Sequence, residues 1–307
     1  MATSINSNIN ETKLISFKSK NEEKKKNRNL RASTAAVATA LCIDPIQAVY
    51  TNKIAIPNMR KVDNLTEDVV KICHKAAEKV IKEKGLADKG VKIEYLKEIP
   101  ITDKKLLKRD LIAQVHNGSN ACCVLMDGMR IENDKMIPIS KGTILAPEKK
   151  LSLAVFHEIG HAHNLVKSKF SRVMQKVRIF SPAIALSILA FSAFTRTSKP
   201  EDDKELTKAQ KTKNFIRNNA GKLTLAAMLP VIIEETTATI KGQKFVKEFL
   251  PDFAQKTLKS NIWGLSSYIT ATALFGLASF ATVKIKDKML ANQENKKLVV
   301  EKNHSQE

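Results

Sequence analysis

The first pattern along the chain is helical and covers residues 65–83. Apolar residues recur there at helical spacing with Lys and Glu between them, which is typical of an amphipathic helix in a folded domain. Short apolar runs separated by Gly, Asp and Pro then follow, at residues 91–96, 121–126 and 143–145. Runs of this length between turn residues predict strands. Residues 65–166 therefore predict an α+β domain.

Three apolar runs without charged residues mark the second half of the chain, at residues 179–194, 223–233 and 262–283. Only the last reaches the ~20 residues that an unaided membrane-spanning helix needs. The first could span if its flanking basic side chains extend to the headgroups, and the second only if its helix continues through Glu234 and Glu235. We expect a multi-pass membrane protein in contact with lipid. The alternative is a soluble bundle in which these runs form core helices.

Charge and composition add two expectations. Lys and Arg total 52 against 31 Asp and Glu, a net charge of +21, which favours anionic surfaces, although solvated charged faces explain it equally well. Aromatic residues do not alternate with the basic runs, so no nucleic-acid partner is expected. Residues 1–33 have too few apolar side chains to offset the entropy of ordering, and we expect a disordered basic arm over residues 1–50.

The strongest chemical signal is the run His157-Glu158-Ile159-Gly160-His161. On a helix its two histidines lie one turn apart on one face, so both imidazoles can reach one metal ion, and zinc suits these nitrogen donors. Glu158 is then placed to accept a proton from a water on that metal. The apolar residues before the motif predict a buried helix that begins just after Pro147. The motif follows predicted strands, one of which could form the edge that binds an extended peptide.

A catalytic zinc needs a third protein ligand and one open position. Asn164 and Lys167 stand where metzincins have Gly and the third His, which excludes that class. His163 lies on another face of the helix and is not expected to bind. The best candidate is Glu235, with Glu234 beside it left open, because carboxylates at the margin of an apolar helix require a cation nearby. Alternatively, the pair lies in water at the membrane boundary.

These motifs resemble those of the gluzincin metallopeptidases, in particular the membrane family that contains the bacterial heat-shock membrane protease and the CAAX prenyl endopeptidase. Proteins of that family have a His-Glu-x-x-His helix, two hydrophobic helices after it, and a Glu-x-x-Ala segment with the third zinc ligand. Glu235 and Ala238 match this segment, whereas Thr239 replaces the aspartate that usually follows. That replacement predicts weaker support for a histidine ligand. The resemblance covers residues 119–245 and implies a zincin-like fold.

We therefore expect a membrane-associated zinc metalloendopeptidase that acts on peptide or protein substrates. One zinc ion per chain would be held by His157, His161 and Glu235, with Glu158 as the general base. The alternative is a zincin-like membrane scaffold that binds zinc without turnover. The expected organisation is a basic arm (1–50), an α+β part with the active-site helix and a small sheet (51–178), a hydrophobic helical hairpin with the glutamate-bearing helix (179–261), a transmembrane helix (262–283) and a polar tail (284–307).

The cysteines bear on the compartment. Cys42, Cys73, Cys122 and Cys123 include no pair at the spacing of a zinc knuckle or redox motif, so we interpret them as reduced, buried side chains. Basic residues flank all the apolar runs, so the positive-inside rule gives no orientation. The reduced cysteines alone favour a site on the cytoplasmic side.

Overall fold

The computed structural model describes residues 27, 29–34, 37–38, 43–103, 106–107, 110–132, 135–200 and 205–304. The chain forms two compact units. We refer to Pro45–Ala183 with Ala227–Ala273 as the mixed unit, because it contains the sheets, and to Met1–Asp44, Ile184–Ala226 and Leu274–Glu307 as the helical unit. Both histidines of the motif and both candidate glutamates belong to the mixed unit.

Helices dominate the described residues, and the strands are short. The helices are α1 Ile43–Tyr50, α2 Ile56–Val62, α3 Glu67–Glu83, α4 Leu111–His116, α5 Ala154–Lys167, α6 Lys169–Phe194, α7 Lys208–Asn218, α8 Ala220–Phe249 and α9 Ala254–His304. The strands are β1 Lys92–Leu96, β2 Cys122–Cys123, β3 Gly128–Glu132, β4 Lys135–Ile139 and β5 Thr143–Pro147. This content is compatible with the expected α+β class.

A three-stranded sheet lies beside the motif helix α5. Its order is β1-β5-β2, with β5 parallel to β1 and antiparallel to β2. All five residues of β5 are buried, which suits the central strand of a covered sheet. The strands predicted at 91–96 and 143–145 are confirmed, whereas the one predicted at 121–126 pairs only at β2. Strands β3 and β4 form a separate antiparallel hairpin.

The core of the mixed unit joins α3, α5 and the sheet. The apolar face of α3 buries Cys73 and Val80 in one cluster with Phe156 and Ile159 of α5 and Ile144 of β5. The helix predicted over residues 65–83 is thus confirmed as amphipathic. Its packing fixes one side of the motif helix, so the two histidines can face the opposite side.

A buried carboxylate sets the start of α5. Both oxygens of Asp63, at the end of α2, accept a hydrogen bond from the Leu153 backbone N–H at 3.1 Å, and one oxygen accepts from the Ala154 N–H at 3.3 Å. These are the first N–H groups of the helix, which have no intrahelical partner. The helix therefore begins at Ala154 rather than just after Pro147, and Leu151 before it has a left-handed backbone with φ 55°.

Within the described part of the chain, three helices are long and apolar enough to cross a membrane, namely Lys169–Phe194, Ala220–Phe249 and Pro251–Lys296. They contain the three predicted apolar runs, and the second continues through both glutamates, as a span there requires. Large apolar side chains on the first remain exposed, including Phe180 at 63% and Phe194 at 61%. Exposed apolar surface of this kind indicates contact with lipid or protein. These helices indicate that the chain is a membrane protein.

Part of the predicted disordered arm is helical in the structure. Residues 1–26 of the predicted arm lie outside the described residues, but α1 is part of its 1–50 range. Gln47 and Tyr50 anchor α1 to α9 through the Ser267 backbone oxygen and the Ser266 hydroxyl, both at 3.0 Å. This polar contact was not evident from the sequence.

The predicted polar tail at 284–307 continues α9 as far as His304. Lys286 in this segment is fully buried in the helical unit. Its ammonium group donates to the Ala193 carbonyl oxygen at 2.6 Å and to the Ser33 hydroxyl at 3.0 Å. The two acceptors reduce the cost of burying this ammonium group.

Candidate metal centre

Three donor atoms converge between α5 and α8. His157 Nε2 and His161 Nε2 are 2.9 Å apart, and Glu235 Oε2 lies 3.2 Å from the first and 3.5 Å from the second. Tetrahedral ligands at ~2.0–2.1 Å from a metal are separated by roughly 3.3 Å. The three atoms therefore form a triangle of the size that one small cation needs. Among the described residues, two overlapping groups could hold a metal ion, one of His157, Glu158 and His161 and one of His161, Glu234 and Glu235.

The rear nitrogens of both histidines have partners. His161 Nδ1 lies 2.6 Å from Glu234 Oε1, and His157 Nδ1 lies 3.1 Å from the Thr239 hydroxyl. Histidines that bind metals usually make such a contact, which fixes the ring and directs the other nitrogen. Thr239 thus contacts the His157 ring. It stands at the position where the membrane family that the sequence resembles usually has an aspartate.

The two adjacent glutamates have different positions. Glu234 and Glu235 are 0% and 1% exposed, but only Glu235 faces both Nε2 atoms, whereas Glu234 lies behind His161. Glu234 Oε1 also accepts a hydrogen bond from the Gln175 side chain at 2.9 Å. The sequence left both residues open as the third ligand, and the geometry favours Glu235.

Arg178 on α6 forms ion pairs with both glutamates. One of its terminal nitrogens contacts Glu234 Oε2, and the other lies 2.7 Å from Glu235 Oε1. Two buried carboxylates thus share a single guanidinium group, and the carboxylate of Glu158 lies near the two histidines. A divalent cation would offset the remaining negative charge, which is costly in a buried site.

Glu158 lies beside the triangle. A carboxylate oxygen of Glu158 lies within 4.8 Å of the donor atoms of His157 and His161. Its Oε2 accepts a hydrogen bond from the Cys123 backbone N–H at 2.7 Å. Burial raises the pKa of Glu158, while the two histidines oppose this rise. A carboxyl group with a raised pKa next to a metal position can accept and return a proton.

Protonation of His161 is linked to the same carboxylates. Burial opposes the charged imidazolium, but Glu235 and Glu234 outweigh it and raise the pKa of His161 well above its usual range. A proton on His161 would therefore supply part of the positive charge that a metal ion would bring to this site.

The open edge of β2 adjoins Glu158. The Val124 N–H and C=O bond toward the neighbouring strand, to the Thr143 oxygen and the Gly142 nitrogen. The Cys123 N–H, one residue earlier, donates instead to Glu158. The strand next to the motif helix is therefore an edge strand, as the sequence allowed.

Helices α5 and α8 approach closely at two glycines. A methyl carbon at Gly160 would lie 3.0 Å from the Cα atom of Ala238 and nearer still to its carbonyl oxygen. One at Gly242 would lie 2.8 Å from the carbonyl carbon of Phe156. Backbone atoms cannot move aside as a side chain can. Glycine at these two positions therefore lets α8 bring Glu235 within reach of the histidines.

We expect Gly160→Ala to separate the two helices. Overpacking of this kind costs about 1–3 kcal/mol, and the displaced Glu235 should lower the affinity for zinc as the probe ion. Thermal unfolding and zinc titration check this. Gly264→Ala on α9 is the matched control, because the nearest atom to a methyl group there is Met59 Sδ at 3.9 Å. Equal melting and zinc affinity for Gly160→Ala and wild type would contradict the close-contact account.

His163 stays outside the site, as the sequence predicts. Its ring lies 5.6 Å from the ring of Phe245, and it belongs to neither of the metal-competent groups found in the described residues. The sequence did not predict that Arg178 and Gln175 contact the glutamates. Arg178 was interpreted as one of the basic residues that flank an apolar run. Arg178 could have been predicted as a partner, because two glutamates in an apolar helix need a nearby cation.

No protein-family model, curated protein or solved structure matches this chain.

Proposed function

We propose that this chain is a membrane-associated zinc metalloendopeptidase of the gluzincin type. The observation that carries the proposal is the triangle formed by His157 Nε2, His161 Nε2 and Glu235 Oε2, with edges of 2.9, 3.2 and 3.5 Å. The carboxylate of Glu158 lies beside this triangle and next to an edge strand. The helix, the small sheet and the glutamate-bearing helix are then the parts of a zincin-like domain.

The donor set favours zinc over other divalent ions. Two imidazole nitrogens and one carboxylate oxygen, with a place left for solvent, are typical of catalytic zinc. Magnesium and calcium prefer oxygen donors alone. The burial of Glu234 and Glu235 beside a single guanidinium group supports a bound cation, because buried negative charge is costly unless it is paired. We propose one zinc ion per chain.

Each residue has a separate part in peptide hydrolysis. His157, His161 and Glu235 would hold the ion, which when bound would acidify a water and polarise the peptide carbonyl. The carboxylate of Glu158 accepts the proton of that water and then transfers it to the nitrogen of the leaving amine. The Cys123 N–H keeps one oxygen of Glu158 in place. Thr239 and Glu234 orient the two imidazoles.

The substrate would bind as an extended peptide along the open edge of β2. An edge strand can pair with an added strand through its outward backbone groups, although the outward N–H of Cys123 is already bonded to Glu158. The bond from the Cys123 N–H to Glu158 supports this arrangement, because it puts the strand edge next to the proposed general base. Backbone pairing would therefore place a peptide group beside the proposed zinc site.

The membrane arrangement follows from the two ends of the site. His161 precedes α6 and Glu235 lies within α8, and both contribute a donor atom to the same triangle. The chain between them must therefore cross a membrane an even number of times if it crosses at all. We propose a multi-pass protein with the site on the cytoplasmic side, which the free cysteines Cys73, Cys122 and Cys123 support.

Chelation of the full-length protein in detergent tests the function. We expect casein cleavage to fall by at least about 100-fold after removal of the metal, because both the polarised carbonyl and the acidified water are lost. Added zinc should restore cleavage and added magnesium should not. Cleavage that survives chelation would contradict the proposal. One bound zinc without cleavage of casein or of unfolded proteins would instead favour the inactive scaffold.

A further inference from the structure

We infer that Arg178 is a positioning residue that makes Glu235 bind the metal through one oxygen only. The inference rests on the proposed zinc site and adds a residue that the histidine motif does not contain. It concerns which oxygen of Glu235 faces the ion and, through that, how many coordination places remain for solvent.

The two oxygens of Glu235 have different neighbours. Oε2 lies 3.2 and 3.5 Å from the two imidazole Nε2 atoms. Oε1 lies 2.7 Å from a terminal nitrogen of Arg178. A carboxylate oxygen that accepts a charge-assisted bond from a guanidinium group is a poor second ligand for the same metal. Glu235 is thereby limited to a single donor.

The other end of the guanidinium group is fixed as well. Its second terminal nitrogen pairs with Glu234, whose remaining oxygen contacts His161 Nδ1 at 2.6 Å. Arg178 thus links the carboxylate in front of the imidazole to the one behind it. Lysine could neutralise these groups as a point charge, but it has no planar fork to bridge them. The role therefore depends on geometry as well as charge.

The consequence concerns the coordination number. With Glu235 held to one oxygen, three protein donors leave a four-coordinate ion with one place for water, as peptide hydrolysis requires. If Oε1 is released, Glu235 can bind through both oxygens and raise the coordination number. The water would then have a different position relative to Glu158.

Cobalt substitution in the full-length protein reads out this geometry directly. Wild type loaded with Co²⁺ should show the intense visible absorption of a four-coordinate ion. Arg178→Met should show the weaker absorption of a five-coordinate ion. Its zinc affinity should fall about 10–100-fold, as for lost outer partners of other metal sites, and kcat should fall with little change in KM. Lys176→Met, an exposed site on the same helix, is the matched control.

Arg178→Lys keeps the test decisive if the methionine variant does not fold. It should bind zinc more weakly than wild type and show a weakened cobalt spectrum, because it keeps the charge and loses the bridge. A folded Arg178 variant with the wild-type cobalt spectrum and zinc affinity would overturn the inference. Absence of metal from the wild type would instead overturn the proposed function itself, so the two failures are distinguishable.

Discussion

Replacing Glu158 with glutamine is expected to abolish peptide cleavage and to leave the zinc in place. Glutamine has the same shape and keeps an oxygen that can accept the Cys123 N–H, but it cannot take up a proton. Loss of a general acid–base group usually lowers the rate by about 10²–10⁴-fold. Cleavage of casein and zinc content measured on the same preparation check both parts of the expectation.

Glu148→Gln serves as the matched control for this variant. Glu148 is an exposed carboxylate just after β5, so its replacement should change neither cleavage nor zinc content. Undiminished cleavage in Glu158→Gln would contradict the assigned proton transfer. Loss of zinc from Glu158→Gln would show that Glu158 binds the metal instead.

Replacing each glutamate of α8 in turn should show which of the two binds the metal. Glu235→Ala removes a donor atom and leaves two imidazoles, so we expect zinc to be lost on dialysis. Glu234→Ala removes the partner behind His161 and one of the two carboxylates that hold Arg178, and loss of such outer partners typically lowers metal affinity about 10–100-fold. The Glu234 variant should therefore still fill with zinc when the ion is in excess. Zinc titration against a competing chelator measures both affinities.

The two variants also test whether Glu235 or Glu234 is the third ligand. A larger loss of affinity in Glu234→Ala than in Glu235→Ala would assign the third ligand to Glu234. Glu235→Gln provides a second comparison, since it keeps the size of the side chain and one oxygen but removes the charge. It should bind zinc more weakly than wild type and more tightly than Glu235→Ala.

Local patterns made much of the site predictable. The spacing of His157 and His161 places both rings on one helix face whatever the surrounding fold is. The pair Glu234 and Glu235 could be selected because carboxylates in an apolar helix need a cation, and the resemblance to the Glu-x-x-Ala segment favoured Glu235. The amphipathic pattern of α3 and the long apolar runs were equally local. Each of these expectations depended on residues within one helix.

Features that depend on distant partners were not predictable. The start of α5 is set by Asp63, about ninety residues earlier in the chain, and no local rule indicates that contact. In the sequence, Arg178 cannot be distinguished from any other basic residue that flanks an apolar run. Gly160 occupies a position in the motif where any neutral residue is allowed, and only the path of α8 explains why it is glycine.

The zinc content of the purified full-length chain is the most direct test of the proposed convergence of three donors on one ion. Mass spectrometry of metal content should find one zinc per chain in the wild type and none in the His157→Ala/His161→Ala double variant after the same dialysis. A metal-free wild type, or equal zinc in the double variant, would contradict the account.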